Sequence, residues 1–487
     1  MSAVPLDQIT AGFPPVRRVD PATLAAQVSG GRTLVVLDDD PTGTQSITDL
    51  PVLTRWNVDD LRWALRQETP AFFVLTNTRS LGEADAAELN REVARALAVA
   101  ATAEDADYVV ASRSDSTLRG HYPLETDVLA TELAAAGRPV DGVVIVPAFI
   151  EPGRVTVGSV HWMRTDAGMI PVSESEFARD ATFGYRHADL RDWVAEKTGG
   201  RIPRTEVATI TLEDLRAGGP GRVEKILAGL SGARPVVVDA ATDDDLRVLV
   251  QGLLAAESAG SRFLYRTGPS FVRARCGQTA APPLDPTRLG ATRPGQDTGH
   301  DDPRPRSARG LVAVGSHVAL TTRQLDRLRA AGGIAELELD VATLLDPARA
   351  PGHVATTVER AAELLTGSDD GDVVVRTSRA LVTGADGAAS LAIARTVSAA
   401  LVGVVRELVA RVRPAFVLGK GGITASDTAT AGLGITRAWS RGTLLPGLVS
   451  VWEPVSGPAR GIPYVVFAGN VGDDDALLAA VRTLRAL

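Results

Sequence analysis

The chain has 487 residues, of which 45% are hydrophobic and 23% charged, a composition that excludes a disordered or fibrous protein. Its formal net charge of −8 argues against nucleic acid as the main partner, because phosphate backbones select basic surfaces. The single cysteine, Cys276, excludes an internal disulfide and a thiolate zinc cluster. We find no stretch of 18 apolar residues and no secretory signal, so the sequence predicts a soluble cytoplasmic protein that does not contact a membrane.

The dominant pattern along the chain is a short apolar run, a loop and then an amphipathic stretch. The runs lack polar alternation and are mostly valine-rich, which is typical of strands buried on both faces. They lie at 33–37, 72–75, 108–111, 143–146, 236–238, 311–314, 373–375, 416–418, 448–451 and 464–467. Helical patterns between them, such as 85–100 and 388–412, predict an α/β fold. We expect two domains, each with a mostly parallel sheet flanked by helices.

One segment breaks this pattern. Residues 277–309 contain six prolines between 282 and 305 and almost no bulky apolar side chain. Such a segment cannot bury enough surface to offset its ordering entropy, so we expect a flexible inter-domain linker or a long disordered excursion. The expected domains are therefore 1–276 and 310–487.

The first candidate site is the run Asp38-Asp39-Asp40-Pro41-Thr42-Gly43, directly after the first predicted strand. In open α/β sheets ligands bind at the carboxyl ends of strands. Three crowded carboxylates repel one another, so a cation, an arginine or a hydroxyl donor must offset them. An Asp-Pro-Thr-Gly surface turn without function is the alternative.

Arginine-containing loops follow two further predicted strands. One is 113–121, in which Arg113 and Arg119 flank a hydroxyl-rich run, and the other is 147–154, which ends in Arg154. The guanidinium fork suits a carboxylate or phosphate, whereas a helix cap with solvated arginines is the alternative.

In the second half, a predicted strand runs into Gly419-Lys420-Gly421-Gly422-Ile423-Thr424 and then a helix. Glycines let backbone amides approach phosphate oxygens. The run is neither a Walker A motif nor GxGxxG, and a purely structural turn remains open. Gly-rich loops at 315–317 and 468–475 also follow strands, which together suggest a nucleotide cradle.

In their joint order these motifs resemble the four-carbon acid sugar kinase family. In the N-terminal half, 39–43 matches the family's Asp-Asp-x-Thr-Gly, 115–120 its Asp-Ser-Thr-Leu-Arg-Gly and 147–149 its Pro-Ala-Phe. Residues 153–154 match its Gly-Arg, and 174–180 resemble its Glu-x-x-Phe-x-x-Asp. In the C-terminal half, 315–316 matches its Gly-Ser and 421–424 its Gly-Gly-x-Thr. The resemblance covers nearly the whole chain. It implies an ATP- and Mg²⁺-dependent kinase with an N-terminal domain that binds a sugar acid and a C-terminal domain that binds the nucleotide.

Phosphoryl transfer needs a proton acceptor for the attacking hydroxyl, so we hypothesise that Asp40 or Asp39 accepts that proton or orients the hydroxyl. The expected substrate-binding residues are Thr42, Arg113, Asp115, Ser116, Arg119 and Arg154, and the expected nucleotide contacts are Ser316, Gly421, Gly422, Ile423, Thr424 and Gly469. The family often ends in Lys-Ser-Gly-x-Phe-Gly, but the matching 467–472 lacks the lysine and serine, so we hypothesise that Lys420 supplies the missing charge.

Two other classes are weighed against a kinase. A dinucleotide-dependent oxidoreductase would need GxGxxG after a strand and an acid about 20 residues on, and neither is in place. A non-catalytic protein that binds sugar acids would keep the arginine loops but would not need the Asp cluster or the Gly-rich loops. The sequence does not decide which sugar acid is bound, which hydroxyl reacts, which groups ligate a metal, or whether the chain forms homo-oligomers.

Overall fold

A computed structural model describes residues 3–285, 287, 289, 302–367, 371–380 and 382–486. The chain forms two compact units, Met1–Ala280 and Ala281–Leu487. Each unit is described by itself. Part of the predicted linker, at 286, 288 and 290–301, lies outside the described residues, so its flexibility and the domain boundaries stay predictions.

The first unit contains eleven strands and nine helices within its described residues. Its strands are β1 Thr33–Asp38, β2 Leu50–Leu53, β3 Ala71–Leu75, β4 Tyr108–Arg113, β5 Gly142–Val146, β6 Arg154–Val157, β7 Val160–Thr165, β8 Gly168–Pro171, β9 Ala208–Ile210, β10 Arg234–Val238 and β11 Phe263–Thr267. Its helices are α1 Leu6–Thr10, α2 Pro21–Val28, α3 Val58–Leu65, α4 Glu83–Ala103, α5 Leu124–Ala135, α6 Leu190–Lys197, α7 Gly219–Ala228, α8 Asp243–Ser258 and α9 Pro269–Arg275.

Eight of these strands form one parallel sheet in the order β2-β3-β1-β4-β11-β5-β10-β9. The central strands are buried along almost their whole length, because their valine-rich runs are covered on both faces. A separate antiparallel sheet, β6-β7-β8, pairs Thr156 with His161 and Arg154 with Met163. These two sheets carry the residues of the first candidate site.

The second unit contains seven strands and six helices within its described residues. Its strands are β12 Leu311–Val314, β13 Ile334–Leu339, β14 Asp372–Thr377, β15 Val417–Lys420, β16 Arg437–Leu445, β17 Leu448–Pro454 and β18 Tyr464–Phe467. Its helices are α10 Ala319–Ala331, α11 Val341–Leu344, α12 Ala350–Thr366, α13 Gly387–Arg411, α14 Gly422–Asp427 and α15 Ala476–Leu484.

These seven strands follow the order β13-β14-β12-β15-β18-β17-β16. The first five are parallel, and β16 and β17 form an antiparallel hairpin that also pairs β17 antiparallel to β18. Its core joins aliphatic and aromatic side chains such as Val312, Leu418 and Phe467. The α/β class with a mostly parallel sheet in each of two domains is therefore confirmed.

All ten predicted apolar runs lie in strands, except that Phe416 precedes β15 by one residue. The sequence analysis missed β2, β6, β7, β8, β9, β11, β13 and β16. In the described part of the chain, no helix is long and apolar enough to cross a membrane.

Candidate functional site

The carboxyl ends of β3, β1 and β4 lie side by side and bring three polar loops together. Asp38 pairs in register with Leu75 on one side and with Arg113 on the other. Because the strands are parallel, the loops that leave them meet at one edge of the sheet. The Asp38–Asp40 run and the 113–121 loop, predicted separately from the sequence, are therefore neighbours.

The three carboxylates in this run are held by Arg113, Arg79 and Thr42. Asp38 accepts a hydrogen bond from Arg113 Nη1 at 2.8 Å, and both side chains are buried. Asp39 is also buried and forms a two-pronged ion pair with Arg79, whose Nε donates at 3.1 Å. Asp40 accepts from the backbone and hydroxyl of Thr42 and, at 3.4 Å, from Arg79 Nη1, and its side chain is 25% exposed. Asp40 is thus the carboxylate that a ligand can reach.

The environment separates the pKa values of Asp38 and Asp40. Burial raises the pKa of Asp38 to about 7, although the charge of Arg113 opposes the shift. Burial also acts to raise the pKa of Asp40, but the charge of Arg79 and the hydrogen bond from Thr42 outweigh it, so this pKa is lowered. Asp40 is therefore ionised at neutral pH and can accept a hydrogen bond from a ligand hydroxyl.

The 113–121 loop is held by a second set of charges. Arg119 Nε donates to Asp115 at 2.6 Å, and its Nη1 lies 3.5 Å from a carboxylate oxygen of Asp180. The guanidinium lies over the ring of Phe177, 4.7 Å from the ring centroid. Asp115 also accepts from the hydroxyl of Thr117. Burial opposes ionisation of Asp115, but the charges of Arg79 and Arg119 keep its pKa well below the usual range.

Arg154, at the start of β6, differs from Arg113 and Arg119 because it has no ion pair among the described residues. Its Nη1 donates to the hydroxyl of Ser116 at 2.9 Å, and its Nε is buried without a hydrogen-bond partner. Burial lowers the pKa of Arg154, Asp115 opposes this, and the positive charges of Arg119 and Arg113 add to it. The side chain is partly exposed, so this is a cation with spare hydrogen-bonding capacity at the edge of the site.

His161 on β7 holds the same loop from beneath. Its Nε2 lies 2.8 Å from the backbone carbonyl of Ser116, and its Nδ1 lies 2.9 Å from the hydroxyl of Thr156. A neutral ring that donates from Nε2 and accepts at Nδ1 satisfies both contacts. Complete burial lowers the pKa of His161 to about 4. The sequence analysis left this histidine without a role.

Two arginines of this region were also missed. Arg79 lies four residues past the end of β3, and the rule that ligands bind at strand ends, applied to that predicted strand, would have found it. Arg266 lies within β11 and donates from Nη2 to the carbonyl of Arg119 at 3.2 Å. Its polar side chain is only 4% exposed, so no pattern of apolar residues marks it.

In the second unit, the loops after β12, β15 and β18 converge on one another. The backbone N–H of Gly315 donates to the carbonyl of Lys420, and that of Gly421 donates to the carbonyl of Phe467. Thr321 donates to the carbonyl of Gly469 at 2.9 Å and lies 3.1 Å from the hydroxyl of Ser316. The loops that carry the six expected nucleotide contacts, together with Lys420, are therefore brought together.

Glycine is required at two of these positions by geometry. Gly421 has a φ of +131°, a backbone conformation that side chains with a Cβ rarely adopt. A Cβ on Gly469 would lie 2.4 Å from the hydroxyl oxygen of Ser316. By contrast, a Cβ on Gly422 would meet nothing within 4 Å, and the next side chain, Ile423, is 65% exposed. The loop surface is therefore bare and reachable.

The structure corrects the hypothesis that the charge of Lys420 takes the place of the absent lysine. Its side chain is completely buried, and its Nζ donates to the carbonyls of Ala468 at 2.8 Å and Gly469 at 3.4 Å. The Nζ also lies 3.7 Å from the centroid of the Phe467 ring. Burial lowers the pKa of Lys420 to about 7. Lys420 thus supports the 468–472 loop from beneath and does not face the bare surface.

The side chains of the described residues form no dedicated metal cage. Nowhere among them are three or more His, Cys, Asp or Glu side chains placed to hold a metal ion.

Comparison with known proteins identifies the class first. A family described as a sugar-binding N-terminal domain matches residues 34–275, and a family described as a nucleotide-binding C-terminal domain matches residues 311–477. The chain thus combines a sugar-binding and a nucleotide-binding domain. It belongs to the four-carbon acid sugar kinase family, and the resemblance seen in its motifs is confirmed.

Individual relatives agree with this assignment. A D-erythronate kinase from Heliobacterium modesticaldum (strain ATCC 51547 / Ice1) is 29% identical over 314 residues, which are 62% of this chain and 60% of that relative. The match thus spans less than two thirds of the relative's length.

Two crystal structures share the fold. A protein from Salmonella typhimurium LT2 has a TM-score of 0.64 and 19% identity, with 92% of this chain and 99% of that chain covered. A Haemophilus influenzae protein, from a family described as a domain of unknown function, has a TM-score of 0.61 and 20% identity, with 92% and 98% covered. At these identities the likeness concerns the fold alone.

Proposed function

We propose that this chain is a cytoplasmic ATP-dependent kinase that phosphorylates a hydroxyl of a small sugar acid of four or five carbons. The proposal rests on the presence of two different reachable groups in the first unit, one acidic and one basic. Asp40 is an ionised, reachable carboxylate, and Arg154 is a reachable cation without a carboxylate partner. A hydroxyl acceptor in the Asp38–Asp40 run and a carboxylate anchor that contacts Ser116 of the neighbouring 113–121 loop suit a substrate that carries both groups.

Of the three arginines predicted to hold the substrate carboxylate, we assign the role to Arg154. Arg113 is buried against Asp38, and Arg119 is paired with Asp115. Arg154 still has an unpartnered Nε and a neighbouring hydroxyl on Ser116. Paired arginines would have to leave their carboxylates to bind an anion, whereas Arg154 would gain a partner.

Asp40 is the proposed catalytic residue, and Asp39 holds the guanidinium of Arg79 beside it through an ion pair. The substrate hydroxyl would donate to Asp40 and pass its proton to that carboxylate as the new bond from oxygen to phosphorus forms and the bond to the leaving ADP oxygen breaks. The low pKa of Asp40 suits orientation of the hydroxyl, since the transition state of phosphoryl transfer demands little base strength. Thr42 holds Asp40 in place through two hydrogen bonds.

The second unit would hold the nucleotide on the bare loops. Ser316, Gly421, Gly422, Ile423, Thr424 and Gly469 are the proposed contacts. Their fit rests on the exposure of Ile423 and on the open space at Gly422. Mg²⁺ bound to the phosphates would supply charge neutralisation.

A panel assay tests the proposal. We would measure ADP release with Mg-ATP over threonate, erythronate, 3-oxo-tetronate and five-carbon relatives, since the D-erythronate kinase relative supports a four-carbon acid. Substrate-dependent ADP release from the unmodified chain, absent in Asp40→Asn, is expected. If no acid is turned over and calorimetry finds no ATP binding, the kinase proposal fails and the binding-protein alternative leads.

A further inference from the structure

Arg379, just beyond the end of β14, is bound to the Ser316 loop. Its Nη1 donates to the backbone carbonyl of Ser316, and its Nη2 donates to the hydroxyl of Thr322 at 2.7 Å. The strand that carries it, β14, pairs directly with β12, so the loops after these strands are neighbours at one edge of the sheet. We propose that Arg379 binds the phosphates of the nucleotide, an inference that rests on the proposed function.

The hydrogen bonding of Arg379 is incomplete. Its Nε is buried and has no hydrogen-bond partner, and it forms no ion pair with any carboxylate in the described ranges. A partly buried guanidinium without an anion is costly, because desolvation of its charge is not offset. An anionic ligand would offset this cost, whereas a purely structural link to Ser316 would not.

Neighbouring acidic groups are already engaged by other arginines. Glu336 pairs with both Arg329 and Arg376, and Arg376 also pairs with Glu338 at 2.8 Å. Burial lowers the pKa of Arg379, the positive charges of Arg376 and Arg329 act in the same direction, and Asp326 and Glu336 oppose them. These carboxylates are paired with Arg329 and Arg376, which leaves the guanidinium of Arg379 available to an anion.

No other cation of the converging loops can take this role. Lys420 is buried beneath the 468–472 loop. On α10, Arg323 pairs with Asp474 at 2.7 Å, and Arg327 lies 3.5 Å from Asp475. Arg379 is thus the cation that contacts a predicted nucleotide loop and has capacity left for a ligand.

His317 lies next to the same guanidinium. Its Nδ1 is buried without a hydrogen-bond partner, and burial together with the charge of Arg379 lowers its pKa. The Nδ1 of His317 and the Nε of Arg379 are thus two buried polar atoms without hydrogen-bond partners in this region. A phosphate group bound by the guanidinium would bring acceptor oxygens to this region.

The test is direct binding of ADP by calorimetry to the full chain and three variants. Arg379→Gln should weaken ADP binding by roughly tenfold to a hundredfold, because a charge-assisted hydrogen bond is lost. Arg379→Lys keeps the charge but cannot span Ser316 and Thr322, so an intermediate loss is expected. Arg360→Gln, which removes an exposed arginine of α12 paired with Glu363, is the matched control and should bind ADP like the unmodified chain.

Different results overturn different statements. If Arg379→Gln binds ADP as tightly as the unmodified chain, Arg379 does not bind phosphate. The same conclusion follows if Arg379→Lys binds as weakly as Arg379→Gln, because then the link to Ser316 matters and the charge does not. If Arg379→Gln does not fold, the intermediate affinity of Arg379→Lys still decides. If the unmodified chain binds no ADP, the proposed nucleotide function fails, and this inference fails with it.

Discussion

The two candidate surfaces are built from different chemistry. At the sheet edge of the first unit, side chains dominate, and Asp38, Asp39 and Asp115 are each paired with an arginine. At the edge of the second unit the surface is mostly backbone, with Gly422 exposed and with Gly421 and Gly469 buried where the loops meet. The first surface presents charged side chains in fixed directions, whereas the second presents backbone groups that a ligand can approach closely.

This difference matches the two kinds of ligand that we propose. A small sugar acid has few atoms, so its recognition needs side chains held in defined directions by ion pairs. A nucleotide brings its own charge and shape, and backbone amides can approach its phosphates only where a Cβ is absent. Each surface keeps one partly exposed arginine outside this ion pairing, Arg154 in the first unit and Arg379 in the second.

The largest effect is expected for the catalytic carboxylate of the first unit. Asp40→Asn should lower kcat by roughly a hundredfold to ten-thousandfold, because the amide cannot accept the proton of the hydroxyl. Sugar-acid and nucleotide affinities should change little. ADP release and calorimetry would measure both, with Asp166→Asn, on the exposed β7–β8 turn, as the control. Full activity of Asp40→Asn would contradict the proposal that Asp40 is the catalytic carboxylate.

The contrast between Arg154 and Arg379 gives the next effect. Arg154→Gln should raise KM for the sugar acid by roughly tenfold to a hundredfold and leave KM for ATP unchanged, because an unpaired charge-assisted anchor is lost. Arg379→Gln should raise KM for ATP and leave KM for the sugar acid unchanged. Steady-state kinetics with each substrate varied would show it, with Arg222→Gln on α7 as the matched control. A rise of both KM values in either variant would mean that the two surfaces do not divide recognition as proposed.

A smaller effect is expected for the histidine that supports the first surface. His161→Asn should cost about 1–3 kcal/mol of unfolding free energy, because a buried hydrogen-bond pair is broken. Since folding lowers the pKa of His161 to about 4, the folded state binds fewer protons than the unfolded state. The unmodified chain should thus lose stability as pH falls from about 6.5 towards 4, by at most about 1.4 kcal/mol per pH unit.

Denaturant titrations at pH 7 and pH 5.5 would show whether this loss depends on His161. The variant should lack that share of the loss, whereas His187→Asn, which removes a largely exposed histidine, should keep it. An equal pH dependence in all three proteins would contradict the buried, neutral state of His161.

The sequence was informative where burial on both faces gave an unbroken apolar run. β12 and β18 were predicted with their observed bounds for that reason. β11 was missed because it ends in Arg266 and Thr267, which are polar yet buried. β13 was missed because it carries two glutamates, one paired with an arginine of α10 and the other with an arginine of the neighbouring strand β14. Runs of apolar residues therefore find strands that are apolar throughout better than strands that carry polar side chains, whether these lie in the centre of a sheet, as β11 does, or at its edge, as β13 does.

For the candidate sites, residues within contiguous motifs could be found from the sequence, but residues that reach them from elsewhere could not. His161 contacts Ser116 only because β6 and β7 pair Thr156 with His161, and no spacing reports that register. Arg379 stands 63 positions from Ser316 in a stretch without a motif. The sequence also could not show that Lys420 turns beneath its loop, because the direction of a side chain at a strand end depends on the strands around it.

The smallest effect is expected for Lys420, which supports the second surface without facing it. Lys420→Met should weaken ADP binding only a few-fold, far less than Arg379→Gln, because the loop loses two hydrogen bonds but no ligand contact.

Folding lowers the pKa of Lys420 to about 7, so the unfolded state binds more protons between pH 7 and the usual lysine value. The unmodified chain should therefore gain stability over Lys420→Met as pH rises from about 7 to 9, by up to about 1.4 kcal/mol per pH unit. Lys225→Met on exposed α7 should show no such gain in the same denaturant titrations. A difference that stays constant with pH would mean that the ammonium group is hydrated, and the 468–472 loop would then lie more open than the structure has it.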